Sequence, residues 1–391
     1  MCPAQDAADS SRAANLALVK HYVAEAFQNQ PDYTCLATFD RYRRLANEPA
    51  ESQVDRVRVE VAFTGNRELY SWPGESKFSE IPLTGIVAAG LVGDGTFATQ
   101  AHDLFVADIG VETYIGDGRW AYQIPVAQNN WTVQETEAGK AYEQAVGSEG
   151  EFSIDARTLD LARIETRATG LRGDFPLQSV ATRVDYSRVR IAGSDVLLPV
   201  RAEFTTISRK GEVHRNLVEY SNCRQFTGQS TIAFDLPTVT AGSGPEPPRV
   251  VEQQLPAGLS LRIELTSELN VGQAIVGDVV EGILHADLRD GKTVIAPKGA
   301  TVRGRVRTIE RSSFPGTAKI KPIDFVDLGL GFDEVSFEGH VYHFNARLTS
   351  LNTAIRGVMV PPQAEGSATF SIESRTAGLP KGTVMTWATI R

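Results

Sequence analysis

Histidine is the side chain most often recruited for acid–base or metal chemistry near neutral pH, and this sequence holds six, at 21, 102, 214, 285, 340 and 343. His340 and His343 stand three apart in a strand-like stretch, which turns them to opposite faces and prevents them from gripping one ion. The sequence therefore predicts no metal site and no cofactor, with histidines that sit at the surface or are satisfied locally. A serine nucleophile on a strained elbow would need the pattern GxSxG, and none occurs. Gly93-Asp94-Gly95-Thr96-Phe97-Ala98 and Gly116-Asp117-Gly118-Arg119-Trp120-Ala121 both fit GxGxxA. Neither follows a parallel strand into a helix, and each sets an Asp where a pyrophosphate would approach, so both read as turns. Paired carboxylates are set by the fold and not by spacing. No catalytic residue is assigned, and the reading leans to a protein that is not an enzyme. The remaining catalytic alternative is a hydrolase assembled in three dimensions, for which the marks would be two facing carboxylates or an Asp beside His102 or His214.

Two other groups of residues have binding chemistry. Trp72, Phe97, Phe105, Tyr114, Trp120 and Trp131 bring large aromatics near one segment, and they are the candidate lining of an apolar cavity. The alternative is plain core, since burying such a ring contributes roughly 2–3 kcal/mol with no ligand. Arg303, Arg305 and Arg307 alternate with Gly304 and Val306, which places three guanidinium groups on one face of a strand. That face suits an acidic partner, and a solvated sheet face explains it equally well.

Of the three cysteines, Cys35 and Cys223 each fall in strand-like sequence. A bridge between them would close a loop long enough to contribute on the order of 5 kcal/mol in the chain-entropy model, and two unrelated buried thiols are the alternative. Cys2 follows Met1 with no apolar signal stretch behind it. It is either the lipidated first residue of a mature exported protein or a free thiol.

The elements that must position these residues follow from composition and period. With 391 residues, 42% hydrophobic and 22% charged, the chain is long enough for two or three cores at about 100–200 residues each. No apolar run reaches the roughly 18 residues of a membrane span; Ile86 to Val92 is broken by Gly90. The net charge of -9 comes from the first 250 residues, where 33 acids face 24 bases, whereas the rest balances 15 against 15. Such a surface gains nothing from releasing phosphate counterions, which argues against general nucleic-acid binding.

Residues 1–9 read as a disordered tail. Leu16, Val19, Val23 and Phe27 recur at helical spacing and predict a helix over Asp9 to Gln28. From Tyr33 the period becomes two, as in Val57, Val59, Val61 and Phe63, with a turn at Gly65-Asn66 and a return over Glu68 to Trp72. Thr84 to Val106 is a helical insert broken by three glycines. Ala138 to Val146 reads as a helical turn or an extended crossing, and Phe152 to Phe234 as an antiparallel meander. The Gly- and Pro-rich stretch within 238–254 is a linker, so that residues 10–237 form one domain and 255–391 a second, β-rich one. The fold class is mainly β: a curved antiparallel half-barrel with an N-terminal helix and helical insert, then a small barrel or sandwich.

Within the first domain stand Gly150-Glu151-Phe152-Ser153-Ile154-Asp155-Ala156-Arg157-Thr158, Arg163-Ile164-Glu165 and Asp195-Val196-Leu197-Leu198-Pro199. Together with the element order, these resemble the periplasmic outer-membrane lipoprotein-sorting (LolA-like) family over roughly Ser10 to Asp235. The resemblance implies an unclosed barrel whose apolar concave face, lidded by helices, holds acyl chains. Leu255-Pro256-Ala257-Gly258, Val294 to Ala300 and Gly304-Arg305-Val306 are similar to β modules of envelope assemblies, the TrbI-like proteins among them. The combined expectation is a non-enzymatic periplasmic or extracellular protein, with membrane attachment only through a lipidated Cys2. It would bind a lipid, a lipoprotein acyl chain or another apolar ligand, and its second domain would dock an envelope protein. The alternative is a structural scaffold with a filled first domain.

Overall fold

The computed structural model describes residues 3–64, 67–75, 78, 101–107, 109–129, 131–137, 139–226, 251–314, 323–361 and 368–391. The chain is mainly β and divides into two compact units, Met1–Gly228 and Gln229–Arg391.

The first unit opens with helix α1 (Pro3–Gln28), which begins upstream of Asp9 and takes in residues expected as a tail. Among its described side chains Val19 and Val23 are buried, Leu16 and Phe27 are half-buried, and Leu18 and Tyr22 stay exposed. Then come β1 (Tyr33–Arg44), β2 (Ser52–Thr64), β3 (Arg67–Ser71) and a single π-helical turn (His102–Val106). β4 (Val111–Gly116), β5 (Arg119–Ile124), β6 (Thr132–Glu137), β7 (Lys140–Ala145) and β8 (Gly147–Ile154) follow. β9 (Leu161–Thr169), β10 (Leu177–Ile191), β11 (Ser194–Ser208) and β12 (Val213–Gln225) complete the meander. The crossing expected around Ala138 to Val146 is therefore extended. The turn at Gly65-Asn66, the insert over residues 79–100 and Phe97 within it lie outside the described residues.

Ten of these strands form one curled antiparallel sheet in the order β3-β2-β1-β12-β11-β10-β9-β8-β5-β4. Its register produces a continuous row across nine strands: Tyr114, Trp120, Phe152, Ile164, Val184, Ala202, Val218, Phe39 and Val57. All but Tyr114 are buried, because strand alternation sends every second side chain to this inner face. The next row, on the outer face, reads Thr113, Ala121, Glu151, Glu165, Arg183 and Glu203. β6 and β7 form a separate hairpin, whose Val133 and Trp131 pack with Val146, Phe175 and Val180. Gly116, Asp117 and Gly118, one of the two glycine patterns, turn β4 into β5 with φ of 107°, 52° and 67°. That left-handed geometry explains the glycines without a phosphate.

The second unit contains β13 (Val251–Gln254), β14 (Ser260–Leu265), β15 (Leu269–Asn270), β16 (Val279–Leu284), β17 (Leu288–Asp290), β18 (Thr293–Ala296) and β19 (Thr301–Phe314). After these come β20 (Ile323–Phe337), β21 (His340–His343), β22 (Asn345–Leu351), β23 (Val358–Met359), β24 (Ala368–Glu373), β25 (Gly378–Leu379) and β26 (Val384–Ile390). The main sheet runs β13-β21-β20-β19-β16-β14-β26-β22. Phe344 N donates to Asp333 O at 3.0 Å, so the chain entering β22 lies back against β20. Trp387, Phe370, Leu261 and Met385 fill the interior with essentially no exposure, and Phe332 meets Trp387 edge-on at 5.3 Å. Residues 251–254, assigned to the linker from composition, are a strand paired in parallel with β21.

Candidate functional site

The inner face of the first sheet has two chemically distinct stretches. At the β4 end, Trp120 stacks on Phe152 at 5.4 Å, Phe105 meets Phe152 edge-on at 5.0 Å, and Tyr114 leans on Trp120 at 5.3 Å. Three of the six aromatics singled out in the sequence thus meet around Phe152, which was not among them. Trp72 is buried just past β3, at the far end of the strand order, and Trp131 belongs to the cluster under the β6–β7 hairpin. Phe152 carried no local signal for this role, because it meets Trp120 only through the pairing of β5 with β8.

α1 covers this face. Phe27 meets Tyr186 edge-on at 6.0 Å, Gln30 Nε2 donates to Leu197 O at 2.7 Å, and Lys20 Nζ reaches Glu112 Oε1 on β4 at 2.6 Å. Where the C-terminal half of α1 meets the β10–β11 hairpin, a cleft of about 540 Å³ remains open. Ala26, Pro31, Ile191, Val196 and Leu197 give it an apolar floor, while Glu25 and Asp195 stand at the rim. Arg188 lines the same cleft, held by both carboxylate oxygens of Asp160 at 2.6 and 2.9 Å. Sequence reasoning passed over these residues. Ala26 and Pro31 carry no chemical signature, and Ile191 and Leu197 looked like ordinary strand positions.

Tyrosine hydroxyls line part of the interior. Burial pushes the phenols of Tyr33, Tyr122, Tyr186 and Tyr220 well above their ordinary range, so they remain protonated donors. Tyr122 spends its hydroxyl on Thr166 Oγ1 at 2.5 Å, and Tyr70 donates to Glu68 Oε2 at 2.6 Å. Farther along the face, Arg41 Nε donates to Asp55 Oδ1 at 2.6 Å in a bidentate pair that is almost fully buried. His214 is held below its ordinary pKa chiefly by burial, with Arg43 and Arg41 adding to the effect and Glu212 opposing it. The side chain of His102 lies outside the described residues.

Cys35 and Cys223 form a disulfide between β1 and β12, which pair side by side. Cys2 lies outside the described residues. On the outer face, two adjacent cross-strand rows make an open trough of about 700 Å³ with a floor of Ala121, Ala181 and Thr205. Its walls carry both signs of charge, with Arg183 Nε 3.9 Å from Glu165 Oε1. Among the described residues no group of three His, Cys, Asp or Glu is placed to hold a metal ion.

In the second unit the three arginines of the sequence stripe diverge. Arg303 is exposed between Glu281 and Glu334 at 3.9 and 3.8 Å. Arg305 is buried and donates to Gly277 O at 3.3 Å. Arg307 pairs with Asp333, whose carboxyl burial pushes up against the pull of Arg307 and Arg305. Arg303 and Arg305 keep the regular alternation against β16, and a register shift against β20 between Val306 and Thr308 makes Arg307 the extra residue of β19.

No protein-family model matches the chain, and no curated protein matches it. Among solved structures the chain is similar to a LolA-superfamily protein from Nitrosomonas europaea, at 13% identity and a TM-score of 0.26, over 56% of this chain and 94% of that one.

Proposed function

We propose that the first unit is a non-enzymatic binding module for an apolar ligand, an acyl chain or a molecule of similar shape, held between α1 and the inner face of the sheet. The observation that carries this reading is the cleft at the β10–β11 hairpin, which pairs an apolar floor with a charged rim. Such a site takes an amphipathic molecule tail-first, because the tail loses contact with water at roughly 25 cal/mol per Å² while the head stays solvated. α1 suits a cover that shares its face with a ligand, since among its described side chains it buries only Val19 and Val23 fully. The Cys35–Cys223 bridge favours an oxidising compartment such as the periplasm or the exterior. No helix among the described residues is long and apolar enough to cross a membrane.

The test is native mass spectrometry of protein purified without detergent, followed by titration with a fluorescent long-chain fatty acid and with phospholipid. Ala26→Trp fills the cleft from the helix side and is expected to weaken binding about tenfold or more, at unchanged circular dichroism. Protein that remains bare and binds neither probe would remove the reading.

A further inference from the structure

We infer, resting on the binding reading above, that the cleft beside α1 selects amphiphiles whose head carries an ammonium group and disfavours an anionic head. Glu25, Asp195 and Arg188 are the charged side chains that line it. Arg188 is the cation that an anionic head would need, and it is already engaged. Its Nε and Nη2 donate to the two carboxylate oxygens of Asp160 at 2.9 and 2.6 Å, and its Nη1 donates to Asp195 O at 3.1 Å. Bidentate pairing of this kind is the strong form of the guanidinium–carboxylate bond, and it balances the charge of Arg188 within the sheet.

The two carboxylates are held far more loosely. Asp195 meets Arg190 Nη1 through Oδ1 alone, at 3.2 Å, with both side chains more than half exposed. His21 comes no nearer to Glu25 than 3.9 Å, beyond hydrogen-bond reach. Exposed pairs of this kind are screened and contribute little, so a cation arriving at the mouth can displace them. The backbone adds charge of the same sign. α1 ends at Gln28 with no basic side chain in its last turn, and Ala26 of that turn lines the cleft. The C-terminal end of a helix carries about half a negative charge and favours a cation. Among the described residues, Ala26 O and Gln28 O accept no backbone hydrogen bond. Asn29 and Ser194 line the same cleft and bring side-chain oxygens as further acceptors. An ammonium head supplies donors and positive charge to this mouth, whereas a carboxylate head supplies only more acceptors and more negative charge. The apolar floor of Ile191, Val196 and Leu197 holds the tail of either, so the head decides between them.

The experiment titrates the full chain by calorimetry with ligands of one chain length, dodecylammonium, lauroyl-lysophosphatidylethanolamine and laurate, each below its micelle concentration. Dodecylammonium is expected to bind about tenfold more tightly than laurate at low salt, and the gap is expected to narrow as salt screens the mouth. The lysophosphatidylethanolamine separates two sources of such a head: affinity equal to that of dodecylammonium assigns the site to aminophospholipids, and weaker affinity assigns it to simple long-chain amines. Glu25→Gln combined with Asp195→Asn is expected to weaken dodecylammonium binding about fivefold or more and to strengthen laurate binding. Loss of folding cannot produce those opposite shifts. Equal affinity for dodecylammonium and laurate, or a ratio that the double variant leaves unmoved, would overturn the head preference with the apolar cleft still standing. Binding of none of the three would overturn the cleft reading and this inference together.

Discussion

Each unit is built on a ten-stranded sheet, and the two solve the problem of covering it differently. In the first, the order ends at β3 and β4, and the inner face is covered by α1 and the π-helical turn. In the second, the chain entering β22 lies back against β20, and the interior is filled by the sheet's own side chains around Trp387. A small closed sheet has an interior just wide enough for its own residues. An open one must borrow a lid, and the seam between lid and sheet is where a cleft such as that beside Ile191 and Leu197 can persist. The comparison teaches that an open sheet keeps a cleft at the edge of its lid, whereas the closed one is packed by its own side chains around Trp387.

The largest expected effect tests what holds the open sheet together. The Cys35–Cys223 bridge spans 188 residues and ties β1 to β12. Replacing both cysteines by serine is expected to destabilise the first unit by up to about 5 kcal/mol on the chain-entropy account. In urea the first transition should fall to lower concentration while the second unit's stays in place; movement of both together would break the two-unit comparison.

A smaller effect is expected from the mirror experiment in the closed unit. Trp387→Ala should cost about 3–5 kcal/mol, because nothing in a filled interior can collapse into the hole. Tyr114→Ala, on β4 at a residue 39% exposed, should cost far less. Equal losses in the two variants would show that the first interior is as tightly filled as the second.

The smallest effect is a pH dependence confined to the first unit. His214 is half-buried beside Arg43 and Arg41, and its folded-state pKa lies below the ordinary 6.5. Between that depressed value and 6.5 the unfolded chain binds a proton that the folded chain refuses. Stability is therefore highest above 6.5 and falls as the pH drops through this window, with no further loss below it. His214→Asn should flatten the slope of the urea midpoint between pH 7 and pH 5, and an unchanged slope would place the acid sensitivity elsewhere.

The parts of this architecture that could be read from sequence are those carried by near neighbours. Val57, Val59 and Val61 announce a strand with one buried face, and that face is the inner one. Val19 and Val23 mark the covered side of α1, and Gly116-Asp117-Gly118 announces its hairpin turn. What was illegible depended on residues far apart in the chain. Trp72 and Trp131 look equivalent to Trp120 in type, yet it is Trp120 that meets Tyr114 and stacks on Phe152, the ring that Phe105 also meets. Arg305 looks like its neighbours Arg303 and Arg307 in the sequence, yet it is buried and donates to Gly277 O.

The sequence by itself determined the mainly β class, the period of most strands, the helix over most of its length and two strand-borne cysteines available to pair. Those properties follow from side-chain alternation and turn chemistry, which act over a few residues. Only the tertiary structure decided that β1 lies beside β12, that the first sheet stays open where the second curls back on itself, and that a cleft survives beside α1. These follow from pairings between residues as distant as Cys35 and Cys223, and no local pattern encodes a register set by a partner so far along the chain.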